Sequence, residues 1–169
     1  MVKRSTIQDS GKATIYNFLL NEVLASQGVN DYEFWVVAPW VTNLLPPDPY
    51  HVSFQEIVET KQEKLHLFDI FHQIAANGGN VYVTVSPDPK YYSSFKQLSQ
   101  RNDHILIRTL SKLHTKAYVG RYGALDGSLN LTDGGVNQNF ELFTYNHDER
   151  NIAQLRQICK QHFEQGKPL

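Results

Sequence analysis

Residues 80–86 read Asn-Val-Tyr-Val-Thr-Val-Ser, an almost unbroken β-branched and aromatic run that follows a Gly78-Gly79 pair. A strand with one wet face alternates apolar and polar residues; a strand without a polar face has to be covered on both sides, the situation of a sheet between two helical layers. Residues 33–41 (EFWVVAPWV) have the same character and run into Leu44-Leu45-Pro46-Pro47-Asp48-Pro49, a strand followed by a loop. Around these strands the apolar spacing turns helical. Ile15, Phe18, Leu19 and Val23 mark a helix over 14–26 closed by Gly28, and residues 65–77 form a second one stopped by the glycine pair. A helix is expected over 93–100, and an amphipathic one over 150–164 with Ile152, Leu155, Ile158, Cys159 and Phe163 on one side. Further strands are expected at 104–110, 113–119, 124–131 and 140–145. The pattern predicts a mixed α/β sheet flanked by helices on both faces, in one domain: an N-terminal helix within 1–30 and a sheet core over 31–169.

A chain of 169 residues is long enough to bury such a core without staples. Its single cysteine, Cys159, excludes an internal disulfide framework and a cysteine-cluster metal site. Ser5 to Lys12 is polar where an export signal is apolar, and no run approaches the roughly 18 apolar residues of a membrane span, so a soluble, cytoplasmic protein without membrane partners is expected. The formal charge of −1 hides a polarised chain. Residues 86–121 carry seven bases against two acids, and 48–70 carry five acids against two bases. A basic segment of that size is either a phosphate-attracting footprint or a solvated face.

Three polar pairs at strand spacing follow in quick succession: His114/Lys116, Ser128/Asn130 and Asn139/Glu141. Side chains two apart on a strand share a face, so an imidazole, an ammonium, a hydroxyl, amides and a carboxylate are expected to converge. That set suits attack on a phosphodiester. A neutral imidazole is the nucleophile, while an ammonium and amide donors stabilise charge on the non-bridging oxygens. Glu141 is placed to orient a histidine. Positive charge then comes from side chains, and no metal or other cofactor is called for.

Leu113-His114-Thr115-Lys116, with Gly127-Ser128-Leu129-Asn130 and then Asn139-Phe140-Glu141, resembles the HxK…GSxN signature and downstream N-x-E element of the phospholipase D superfamily. The motifs cover 113–141. The resemblance implies a phospholipase D-like fold, with His114 as a nucleophile that becomes phosphohistidine, Lys116 and Asn130 on the phosphate oxygens, Ser128 supporting the phosphate or its turn, and Glu141 orienting a histidine. The family reaction uses a second HxK histidine as general acid and then base. One copy is present here, as in small single-motif bacterial members, which implies a symmetric homodimer. At the position where the family carries Asp this chain has Arg121, which, with Lys112, Trp40 and Asn139, is a candidate for substrate contact.

Several members of that kind are nucleases in bacterial restriction or anti-phage settings, so a nucleic-acid substrate and partner proteins of a defence system are expected. Two rival readings are phospholipid phosphodiester hydrolysis or transfer by the same residues, and a catalytically silent nucleic-acid-binding subunit. Other features are weaker. His66, Asp69 and His72 share one expected helix, but the six-residue step separates the histidines onto different faces. Asp9-Ser10-Gly11-Lys12 lacks the first glycine and preceding strand of a phosphate-binding loop. Tyr91-Tyr92 between Lys90 and Lys96 interleaves rings with charges in a way that suits stacked bases.

Overall fold

A computed structural model of the chain describes residues 3–6, 9–48, 50–60 and 63–169, with the backbone alone at 3–6, 9 and 10. Met1 and Val2, Pro49 of the expected loop and Lys61 of the acidic segment lie outside the described residues.

One mixed sheet organises the molecule. Strands β2 (Glu33–Val37), β3 (Asn80–Val85) and β4 (Ile105–Thr109) are parallel neighbours. Beyond β2 the sheet continues antiparallel through β5 (Ala117–Val119), β6 (Ala124–Gly127), β7 (Leu142–Asn146) and β1 (Lys3–Thr6), and β8 (Lys167–Pro168) adds to the far edge, giving the order β1-β7-β6-β5-β2-β3-β4-β8. Helices α1 (Asp9–Ser26), α2 (Tyr50–Gln55), α3 (Leu67–Ala76) and α4 (Pro89–Arg101) form one layer, and α5 (Glu149–Gln165) packs over β2, β3 and β5 in the other.

The two-sided cover explains the apolar strands. Along β2, Phe34 and Val36 enter the core beneath α1 and α3, while Trp35 and Val37 enter the second core beneath α5. That second core holds Cys159, a buried free thiol whose pKa burial pushes up to about 12. Trp35 stacks on Tyr82 at 4.0 Å, and Phe163 of α5 meets both rings edge-on. Helix starts follow ordinary capping: Asp88 accepts the Lys90 N–H at 3.0 Å before Pro89, and Asp148 accepts the Asn151 N–H at 3.0 Å.

Several expected boundaries move. Helix α1 begins at Asp9, absorbing the Asp9-Ser10-Gly11-Lys12 stretch, and β1 before it brings residues upstream of the expected 31–169 core into the sheet. The expected strands over 113–119, 124–131 and 140–145 are all shorter, so the three polar pairs lie not on strand faces but in loops just beyond strand ends. The cause is the neighbour. Ala117 pairs with Val37, the last residue of β2, so residues 113–116 have no ladder partner on the β2 side however well their side chains alternate. At the end of β6, Gly127 takes φ +150° and turns the chain out of the sheet.

At the opposite end of the sheet Glu22 is buried, 2% exposed, beneath the β5–β6 turn. Tyr32 Oη donates to it, and the turn is held by a 2.7 Å hydrogen bond from the Arg156 guanidinium to the Gly120 carbonyl. A Cβ on Gly120 would overlap the Glu22 carboxyl group, so any other residue there would have to displace that buried side chain. Burial outweighs the hydrogen bonds from Tyr32 and the Arg121 backbone and the nearby Arg156 charge, and raises the Glu22 pKa to about 7. An acid held more tightly protonated in the folded state stabilises that state below its unfolded pKa of 4.5, and the gain is lost as pH climbs towards about 7. The thermal midpoint should therefore fall between those limits, by an amount worth at most about 3 kcal/mol, and Glu22→Gln should flatten that fall. An unchanged pH profile in the variant would remove Glu22 as its source.

Candidate active site

The parallel strands β2, β3 and β4 end on the same rim of the sheet at which β5 and β7 begin and β6 ends. Ligands of open α/β sheets gather at such a rim. Here it collects most of the candidate residues. Residues 110–116 leave β4, cross the ends of β3 and β2 and deliver His114 and Lys116 to the start of β5. Thr115 Oγ1 lies 3.1 Å from His162 Nε2, and His162 Nδ1 is 2.8 Å from the Ile158 carbonyl, so α5 anchors the crossing segment from below. His114 is exposed, and Lys116 Nζ donates to the His114 carbonyl at 2.9 Å.

The next two segments are joined to this one through the sheet. Gly127 N–H donates to the Lys116 carbonyl at 3.2 Å, and Ser128 N–H to the Leu142 carbonyl at 2.9 Å, so Lys116, Ser128 and Glu141 stand at three adjacent strand ends. Glu141 accepts from Ser128 Oγ on one oxygen and from Asn139 Nδ2 at 3.3 Å on the other, while Ser128 Oγ accepts the Leu142 N–H at 3.1 Å. These side-chain hydrogen bonds tie together three of the candidate residues.

Asn130 is fixed from two sides. Buried Tyr118 of β5 donates to the Leu129 carbonyl at 2.7 Å and accepts the Leu131 N–H at 3.1 Å, clasping the residues around it. Burial drives the Tyr118 phenol well above its ordinary pKa, which keeps it a donor. The backbone N–H of Trp40 donates to Asn130 Oδ1 at 3.3 Å, and that of Thr42 to the Leu131 carbonyl at 2.9 Å. The bond to Oδ1 sets the orientation of the Asn130 amide, whose two N–H donors have the polarity a phosphate oxygen requires.

Of the substrate-contact candidates, Asn139 and Trp40 reach this rim, and Lys112 sits in the crossing segment with a left-handed φ of 61°. Arg121 does not. It lies in the β5–β6 turn at the opposite end of the sheet, with its guanidinium 5.8 Å from the Tyr122 ring. The basic segment likewise forms no single footprint: Arg101 is paired with Asp69 at 2.8 Å, and Arg108 donates to the Phe163 carbonyl at 3.0 Å and covers that ring. Tyr118 and His162, which position the motif loops, carry no local signal in the sequence, because their partners lie 11 and 47 residues away.

No family model and no curated protein matches the chain. Solved structures do. Nuc from Salmonella typhimurium, described as a phospholipase D family member, aligns over 100% of this chain and 97% of its own at a TM-score of 0.66 and 13% identity. NucT from Helicobacter pylori aligns over 100% of both chains at 0.66 and 12%. TrmBL2, an archaeal chromatin protein, aligns over 99% of this chain and 54% of its own at 0.60 and 12%. The chain thus has the phospholipase D-like fold: a mixed sheet between helical layers in a single domain. Among the described residues no helix is long and apolar enough to cross a membrane.

Proposed function

We propose that the protein is a metal-independent phosphodiesterase, a nuclease, that works through a phosphohistidine in a homodimer. The observation that carries this reading is the convergence of exposed His114 with Lys116, Ser128, Asn130 and Glu141 on one rim of the sheet. In the first step a ring nitrogen of His114 attacks phosphorus and a P–N bond forms. The P–O bond to the leaving group breaks, and the departing oxygen takes a proton from the partner's His114. In the second step that imidazole removes a proton from water, the hydroxide attacks phosphorus, and the P–N bond breaks to restore the free ring. Lys116 and the Asn130 amide hold the non-bridging oxygens, where negative charge builds. The Ser128–Glu141–Asn139 chain fixes the neighbouring loop, and Lys112 attracts the flanking phosphate. Glu141 orients a histidine once two protomers meet.

The dimer has apolar surface to use beside the site: Phe140 is 89% exposed and Leu142 57%. Such an enzyme suits DNA restriction or defence against phage in a prokaryotic cell, alongside partner proteins. Incubation with substrate labelled at the scissile phosphate should trap covalent label that survives alkali and is lost in acid, undiminished by EDTA. Activity that EDTA abolishes and a divalent cation restores would overturn the reading.

The likeness to TrmBL2, whose structure is described as showing a mode of DNA binding, favours a second reading, a DNA-binding unit without turnover. DNA binding with no label trapped and no phosphodiester hydrolysed would decide for it.

A further inference from the structure

Next to the motif loops lies a cleft of about 460 Å³, within the range of ligand sites, lined by Trp40, Tyr91, Thr132, Asp133, Asn130 and Asn139 among others. We infer that this cleft is a base-stacking subsite, which takes an unpaired nucleobase beside the scissile phosphate with Trp40 as its platform. The inference rests on the phosphodiesterase reading and specifies its substrate as single-stranded nucleic acid.

Exposure marks out Trp40. The chain has two tryptophans, and Trp35 is 3% exposed and stacked in the core, whereas Trp40 is 49% exposed at the end of the segment that follows β2. An indole left in water at the mouth of a cleft offers a flat surface that every base can use. The charge of the lining then separates a base from a phosphate. No Lys or Arg lines the cleft, and Asp133 does. A carboxylate repels a phosphate, while amides and hydroxyls from Asn130, Asn139 and Thr132 match the donors and acceptors of a heterocycle edge. Asp133 is itself held by the side-chain amides of Asn137 at 2.8 Å and Gln138 at 2.7 Å. Cationic charge lies just outside, with Lys90 Nζ 5.2 Å from the centroid of the Tyr91 ring, where a strand's backbone would pass.

The link to the chemistry is a single side chain. Asn130 accepts the backbone N–H of Trp40 through Oδ1 and lines the same cleft as Trp40, so a base on Trp40 and a phosphate on the Asn130 amide hydrogens are one residue apart. Paired bases, stacked on both faces within a duplex, cannot reach such a platform without being extruded.

The test uses the full chain carrying His114→Ala, so that binding is read without turnover, with a twelve-nucleotide oligothymidylate and a blunt-ended DNA duplex as probes. Oligothymidylate should quench the exposed Trp40 fluorescence. Trp40→Ala should weaken its binding by about five- to a hundredfold, as expected for one base–aromatic stack. Trp40→Phe should restore most of it, and duplex affinity should change less than twofold. Equal oligothymidylate affinity with and without Trp40 would overturn the inference. So would quenching by phosphocholine but not by oligothymidylate, which would assign the cleft to a lipid head group held by ring and carboxylate. Quenching by oligothymidylate in a protein whose His114 form cleaves nothing would keep the subsite and reject the enzymatic reading.

Discussion

Replacing His114 by alanine is expected to lower phosphodiester hydrolysis by at least about a thousandfold, the scale on which loss of a covalent nucleophile is felt. The thermal midpoint should stay within about 2 °C, because an exposed side chain changes stability by no more than about 0.5 kcal/mol. Chromogenic and oligonucleotide substrates measure the first effect and a thermal melt the second. A two-fold site adds a sharper readout. If one His114 attacks while its twin supplies the proton, a dimer with one alanine subunit is inactive, and in mixed populations activity follows the square of the intact fraction. Linear dependence on that fraction would mean that each protomer acts alone and would remove the shared site.

The second large effect is expected from Gly127→Ala. Gly127 has φ +150°, where a Cβ is strained, and that Cβ would lie 2.3 Å from the Leu142 carbonyl oxygen and 2.7 Å from Phe143 Cα. These are backbone atoms of the neighbouring strand, so relief requires β6 and β7 to separate where Ser128 and Glu141 meet. Backbone strain of roughly 1–3 kcal/mol together with the clash puts the loss at about 3 kcal/mol or more. For a chain of this size that is a fall of at least about 6 °C in thermal midpoint, accompanied by loss of the site geometry. A variant that melts with the parent and hydrolyses phosphodiesters at the same rate would contradict the account of this turn.

The layered fold was more legible in the sequence than the local geometry of the motif loops. Residues 80–86 announced a strand covered twice, and β3 has Val81, Val83 and Val85 in one core and Tyr82 against the other. The alternation through 113–119 was equally plain: Leu113, Ala117 and Val119 are buried and His114 is exposed. Periodicity reports which way side chains point, however, not whether a neighbouring strand is there to bond, and β2 ends at Val37. The three polar pairs therefore lie at strand ends instead of on the strand faces the alternation suggested. Strand β1, Lys-Arg-Ser-Thr, has no apolar signal at all and exists through its register with β7. Helix α2 has only six residues, with Phe54 its buried one, beside a proline-rich loop that obscured it. Arg121 was a substrate-contact candidate because it lies in the basic segment close after the motif. It is five residues beyond Lys116, but the chain in between traverses the sheet from one rim to the other.

The thiol of Cys159, enclosed between α5 and the sheet, also makes a built-in clock. A thiol-reactive dye reaches it only when that helix lifts, and the same helix steadies the segment bearing the proposed nucleophile through His162 and Thr115. The labelling rate under native conditions thus times how often the reactive loop loses its footing.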